Sequence, residues 1–229
     1  MKLSKHNNYE LLDLMNAISI ITNVPFDKVC HTGISTWWTN IITYKIKKGE
    51  CKLPATKIAK YNYKGGHVIE PKIGYYNNEQ QPVYVLDVKS LYPTMMINNN
   101  ISFDTVNCGC CQDNACARVS SEIMDLINRD LSQDQKRKEP YWICRKYKGI
   151  IPRLLSEYRS ERFRQQELCN EPMHLALKNL INGVYGSKFF EFSDYRVAEL
   201  TTVYGRQTLE YMQHIAKEVY GFTIIYFVE

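Results

Sequence analysis

The side chains in this sequence best suited to chemistry fall into a few groups. Asp87 closes a short apolar run, Val83-Tyr84-Val85-Leu86, and is followed by Val88-Lys89-Ser90-Leu91-Tyr92-Pro93. A carboxylate at a strand end is costly to bury unless it is paired or holds a metal. It is also the hard oxygen ligand that Mg²⁺ takes, with phosphate oxygens and water completing the shell. The turn after it can aim backbone N–H groups at phosphate. A second group, Lys178, Asn182, Tyr185 and Gly186, follows the i, i+4, i+7, i+8 spacing that puts residues on one helix face.

Arg162 ends the stretch Gly149-Ile150-Ile151-Pro152-Arg153-Leu154-Leu155, continued as SEYRSER. If two helices meet at a turn near Asn170, Arg162 lies eight residues before it and Lys178 eight after. At 1.5 Å per residue both stand about 12 Å from the turn, at matching height. Two cations facing each other hinder folding but suit a triphosphate. A further group is a cysteine cluster, Cys108, Cys110, Cys111 and Cys116, with Cys144 more distant. Cys108, Cys110 or Cys111, Cys116 and Cys144 fit a tetrahedral thiolate zinc site. Free thiols, or disulfides closing the loop, satisfy the same irregular spacing.

Asp87 to Pro93 matches DxxSLYP, the motif A of family B DNA polymerases, at every fixed position. Lys178 to Gly186 resembles motif B, KxxxNSxYG, with Gly183 replacing the serine. Gly149 to Arg162 resembles the archaeal fingers pattern, with Gln166 where the family has a lysine one turn on, so that phosphate contact is lost or moves to Arg164 or Arg159. Tyr63-Lys64-Gly65-Gly66 resembles the YxGG segment between exonuclease and polymerase domains. The chain thus resembles an archaeal-type family B DNA polymerase from about residue 9 to 226.

The resemblance implies template-directed DNA synthesis, with dNTP and a DNA primer-template as partners and two Mg²⁺ ions as cofactor. It assigns both metals to Asp87 and one ligand to the Val88 carbonyl. The backbone of Ser90, Leu91 and Tyr92 would cradle the triphosphate, and the Tyr92 ring would exclude a 2′-hydroxyl. Arg162 and Lys178 would hold phosphates and Asn182 would border the nascent base pair. Tyr185 and Gly186 would meet the template, and Tyr63, Gly65 and Gly66 the DNA backbone.

Where the family carries YxDTDS, the sequence reads Tyr226-Phe227-Val228-Glu229. Valine cannot bind metal, and a two-metal transfer uses carboxylates to hold both ions. The expectation is a partial chain of such a polymerase, inactive alone: a fragment, a degenerate copy, or one product of a split gene whose partner would be a second polymerase chain carrying motif C and the thumb. The other reading is a non-catalytic nucleotide- and DNA-binding subunit of such a split enzyme.

These residues need elements to position them. Apolar spacing predicts a helix over 9–22, a helix from Ser120, helices over about 152–168 and 172–186, and a long one over 195–219. Asn170 and Pro172 mark the start of the fourth. VYVLDV and FTIIYF are β-formers and are predicted as strands. The expected fold is therefore α+β: a polymerase palm, an antiparallel sheet with packed helices, into which a helical-hairpin fingers subdomain is inserted. The expected divisions are an N-terminal helical and linker region (1–80), a first palm part with the cysteine loop (81–148), fingers (149–190) and a second palm part (191–229). Trp37-Trp38 reads as core or interface rather than a base-stacking platform. An apolar share of 45% excludes disorder, and a net charge of +5 permits a polyanion partner. Without an apolar run of roughly 18 residues or a signal peptide, no membrane partner and a cytoplasmic location are expected.

Overall fold

The computed structural model describes residues 11–51, 63–66, 68–76, 82–129, 131–187 and 194–228. Helices dominate. Three open the chain: α1 (Leu11–Thr22), α2 (Phe26–His31) and α3 (Ile34–Lys47). The first ends at Asn23, whose left-handed backbone (φ 54°) reverses the chain. Trp37 and Trp38 in α3 are both core residues. The Trp38 indole N–H donates to the Leu180 carbonyl at 3.0 Å, fastening α3 to a helix 142 residues away.

After the two-residue strand β1 (Val68–Ile69) come α4 (Leu91–Asn98) and α5 (Ser121–Asn128). The Ser120 hydroxyl caps α5 by accepting the Ile123 N–H, the usual work of a serine at that position. Two antiparallel helices follow, α6 (Ile150–Glu167) and α7 (Glu171–Gly183), then α8 (Tyr195–His214) and β2 (Phe227–Val228). α8 runs into one wide π turn, Ile215–Val219. It stops at Gly221, whose positive φ of 67° and N–H bond to the Lys217 carbonyl at 3.1 Å make a left-handed glycine cap.

α6 begins in a built socket. Asn100 accepts the Gly149 N–H at 2.8 Å, Asp104 the Ile150 N–H at 3.2 Å, and Ser102 the Ile151 N–H at 3.3 Å. A carboxylate there also complements the positive end of the helix. Gly149 is needed for closeness, since a Cβ would come within 2.7 Å of Ser102 Cβ. At the far end Asn170 caps α7 through the Met173 N–H, and Cys169 takes the left-handed turn. One continuous core joins Ile18, Ile42, Leu155, Leu180 and Leu200; within it α1 and α3 pack on α7, while α8 packs on α4 and α5. No helix among the described residues is long and apolar enough to cross a membrane.

The expected antiparallel sheet is absent among the described residues, and the α+β assignment is corrected to a helical fold. The strand pairing there is β1 with β2, two residues on each side (Val68 opposite Val228, Ile69 opposite Phe227). VYVLDV is not a strand: residues 83–87 are exposed, Val85 by 89% and Leu86 by 71%. Tyr84 stacks on Phe222 with ring centroids 6.1 Å apart, so the two predicted strands do approach. Contact of rings is not a ladder. A strand exists through the N–H and C=O groups of a neighbour, and β propensity mostly reports fit to such a neighbour.

Candidate nucleotide-binding site

The site is built where α4 begins. Ser90 precedes the helix with φ 52° and ψ 55°, left-handed for a residue that has a Cβ. Such a conformation costs about 1–2 kcal/mol and persists where surroundings impose it, often at functional sites. One such constraint is visible. The Ser90 hydroxyl donates to the Asn182 side-chain oxygen at 2.8 Å, joining α4 to α7. The Thr94 N–H returns to the Ser90 carbonyl at 2.9 Å and starts the helix. The start of α4 lies next to α6 and α7.

Three tyrosines join the linker to both motifs. Tyr92 lies on Tyr185 with ring centroids 4.3 Å apart at 31°, and the Tyr185 and Tyr63 hydroxyls are 3.5 Å apart. The linker is strapped to α8, for Thr202 donates to the Lys64 carbonyl and Arg206 to that of Gly65. Gly65 and Gly186 have open space where a Cβ would stand, which lets another backbone or a phosphate come close. Gly66 is half-buried.

Across from α4, the cleft is lined by Lys89, Ser90, Thr94, Arg159, Arg162 and Phe163. Arg162 is half-buried and its Nε finds no hydrogen-bond acceptor. Burial first, and Arg159 second, hold its guanidinium below the ordinary arginine range. Neither arginine pairs with a carboxylate among the described residues. Lys89 places its ammonium 5.5 Å from the Phe163 ring centre. Sequence reasoning did not single out Lys89 or Phe163, and it held Arg159 only as a substitute for the missing lysine. Their spacing in α6, Arg159 to Phe163 at i, i+4, was the available signal.

The matching heights of Arg162 and Lys178 are corrected. The Asn170 N–H returns to the Gln165 carbonyl at 2.9 Å, so the chain reverses around residue 168 rather than Asn170. In agreement, His174 Nδ1 lies 3.4 Å from the Arg162 carbonyl. Lys178 stands four residues further along α7, about 6 Å higher. It is exposed and outside the cleft. By the same register Tyr158, one residue before Arg159, is level with Lys178.

Gly183, in place of the motif's serine, has a structural reason. A Cβ there would come within 2.2 Å of Ile34 Cδ1, so the start of α3 occupies the space a side chain would need.

The expected metal donors are incomplete. Asp87 is exposed beside half-buried Val88. Among the described residues Asp87 belongs to no group of three or more carboxylate, histidine or cysteine ligands within reach of one ion. One carboxylate and one carbonyl do not fit a two-ion magnesium site. The cysteines do converge: Sγ atoms of Cys108, Cys110, Cys111 and Cys144 all lie within 4.8 Å of one another. Cys116 is exposed and apart, its carbonyl accepting from Arg145. Burial pushes the Cys108 thiol up, whereas the Arg145 backbone N–H draws Cys111 down to about 7.

The helical core thus carries a cation-lined cleft between a strained turn and a helical hairpin. The model of DNA polymerase family B matches residues 4–225, and the chain belongs to that family. It is 27% identical over 236 residues to DNA polymerase 1 of Sulfolobus acidocaldarius, covering 90% of this chain and 25% of that protein. It is 29% identical over 210 residues to the DNA polymerase catalytic subunit of Elephantid herpesvirus 1, covering 85% of this chain and 19% of the other. The fold resembles the solved family B DNA polymerase of the hyperthermophilic archaeon Pyrobaculum calidifontis. Their TM-score is 0.68 at 23% identity, over 95% of this chain and 28% of that one. The chain therefore spans about a quarter of the length of these relatives.

Proposed function

We propose that this chain is the nucleotide-binding part of a DNA-directed DNA polymerase, with residues 149–190 as its fingers. The observation that carries this reading is the cleft, where Arg159 and Arg162 lie across from Ser90 at the start of α4 and pair with no carboxylate among the described residues. Unpaired guanidiniums are unfavourable in a free protein and become favourable with a polyphosphate between them. The triphosphate of a dNTP would lie against Ser90, Leu91 and Tyr92, with Lys178 reaching it from one turn further out on α7. The Tyr92 ring, backed by Tyr185, would occupy the space of a 2′-hydroxyl. Asn182, held by Ser90, would border the new base pair. Tyr63, Gly65, Gly66, Tyr185 and Gly186 would meet the primer-template, whose 3′-hydroxyl attacks the α-phosphate as pyrophosphate leaves.

Magnesium, when bound, would supply charge neutralisation at the phosphates. Asp87 and the Val88 carbonyl would be its donors among the described residues.

The test is paired binding. Tripolyphosphate and dGTP should compete for one site on the purified chain. Arg159→Ala should weaken both by roughly tenfold or more, since a charged hydrogen bond contributes about 1.5–3 kcal/mol. Affinity for a primer-template duplex should change little. Loss of duplex binding with unchanged nucleotide binding would make the hairpin a DNA-contacting element and sink the assignment.

A further inference from the structure

Outside the nucleotide cleft, the densest group of metal-ligating side chains is the cysteine cluster. Cys110 Sγ lies 3.6 Å from Cys108 Sγ, 3.7 Å from Cys111 Sγ and 3.6 Å from Cys144 Sγ, and Cys111 to Cys144 is 3.9 Å. A tetrahedral Zn²⁺ with Zn–S bonds of about 2.3 Å sets its sulfurs about 3.8 Å apart. The observed spacings fall on that value. They are far from the roughly 2.05 Å of a disulfide, and every cysteine is a free thiol.

We propose that Cys108, Cys110, Cys111 and Cys144 form a structural Zn²⁺ site of four thiolates. Cys116 is not part of it. Cys110 carries the argument furthest: the residue is exposed, yet its sulfur turns inward to meet three others.

The backbone on both sides of the cluster is already held. Asn107 takes a left-handed conformation (φ 51°) just before Cys108. The Trp142 indole N–H donates to the Cys108 carbonyl at 2.7 Å, and the Cys111 N–H turns back to that same carbonyl. The Cys144 N–H bonds the Thr105 carbonyl at 2.9 Å, beside an antiparallel bridge between Val106 and Ile143. Contacts of this kind orient ligands and fix their geometry.

The local apolar cluster is small and separate from the main core. It holds Cys111, Ala117 and Cys144, with Cys108 and Trp142 against them. So little buried surface gives a loop from 107 to 118 weak support, and a four-coordinate ion would supply the cross-link. Soft thiolates select zinc or iron over hard cations. With all four positions filled by protein the site is closed, hence structural rather than catalytic.

The site also reaches α6. Asn100 donates to the Cys144 carbonyl at 3.0 Å and accepts the Gly149 N–H at the start of that helix. Zinc would hold the socket from which the hairpin projects.

Elemental analysis of the full chain, purified without chelator, should find one zinc per chain. Replacement by Co²⁺ should give the absorption of a tetrahedral thiolate site. Stripping the metal with a mercurial and a chelator should lower Tm by at least about 5 °C, as expected for a ligand lost from the native state alone. Cys116→Ser should keep the zinc and Cys144→Ser should lose it. Should Cys144→Ser not fold, the wild-type count of thiols protected until zinc is released decides, and four are expected. Zinc well below one per chain, stoichiometric iron, a mass deficit showing disulfides, or loss of zinc in Cys116→Ser each overturns the proposal. None of these readouts depends on nucleotide binding.

Discussion

Arg162→Met should make the protein more stable and a worse phosphate binder. In the free protein the Arg162 Nε is buried without an acceptor, and the neighbouring Arg159 repels its guanidinium. An unsatisfied buried polar group costs about 1–3 kcal/mol. Methionine keeps much of the side-chain stem and its packing, and its helix propensity equals that of arginine. Because Arg162 is only half-buried, the low end applies, a gain of about 1 kcal/mol. For a chain of this size that raises Tm by roughly 2–4 °C. The same change removes charged hydrogen bonds to phosphate worth about 1.5–3 kcal/mol, or roughly 10- to 150-fold in affinity. Arg162→Lys should fall between, since it keeps the charge and loses the planar fork. Thermal unfolding and calorimetric titration with tripolyphosphate, at one fixed salt concentration, give both numbers. A lower Tm together with unchanged affinity would show that Arg162 is a packing residue, and the reasoning from its unpaired nitrogen would be wrong.

The stacked pair Tyr92–Tyr185 should show a coupling of about 0.5–1.5 kcal/mol in a double-mutant cycle with alanine, read from urea unfolding; additivity would deny the contact. Gly183→Ser should destabilise by about 1–3 kcal/mol through overpacking on Ile34, and Ile34→Ala should be less harmful in its presence than alone. Glu161 is drawn down to about 2 by Arg164 first and Gln165 next. Its folded value lies below the ordinary 4.5, so its contribution is present above about 4.5 and lost as pH falls toward 2. The Tm difference between wild type and Glu161→Gln should therefore be small at neutral pH, as for any exposed pair, and vanish near pH 2; a difference that grows in acid would reverse the sign.

Much of the hairpin was legible in sequence. Asn170 and Pro172 mark where α7 starts, the 3.6-residue pattern marks both helices, and Trp37-Trp38 had too much apolar surface to lie outside a core. Local chemistry decides such features, so neighbours in sequence suffice. The motif residues were legible for another reason: Asp87 to Pro93 and Lys178 to Gly186 are uncommon combinations that packing alone does not require. What only the tertiary structure decided involves partners far apart in the chain. VYVLDV has the composition of a strand, and it is not one because no neighbouring backbone among the described residues forms a ladder with it. Arg162 and Lys178 looked level by counting from the tip; one Asn170-to-Gln165 hydrogen bond moved the turn, leaving Arg159 and Lys89 beside Arg162 instead. Five cysteines suited a thiolate site by type, and the bridge at Val106 and Ile143 chose Cys144 to join Cys108, Cys110 and Cys111 while leaving Cys116 outside. Residue type is written in the sequence, but which groups share a few ångströms is set by the packing of elements many residues apart.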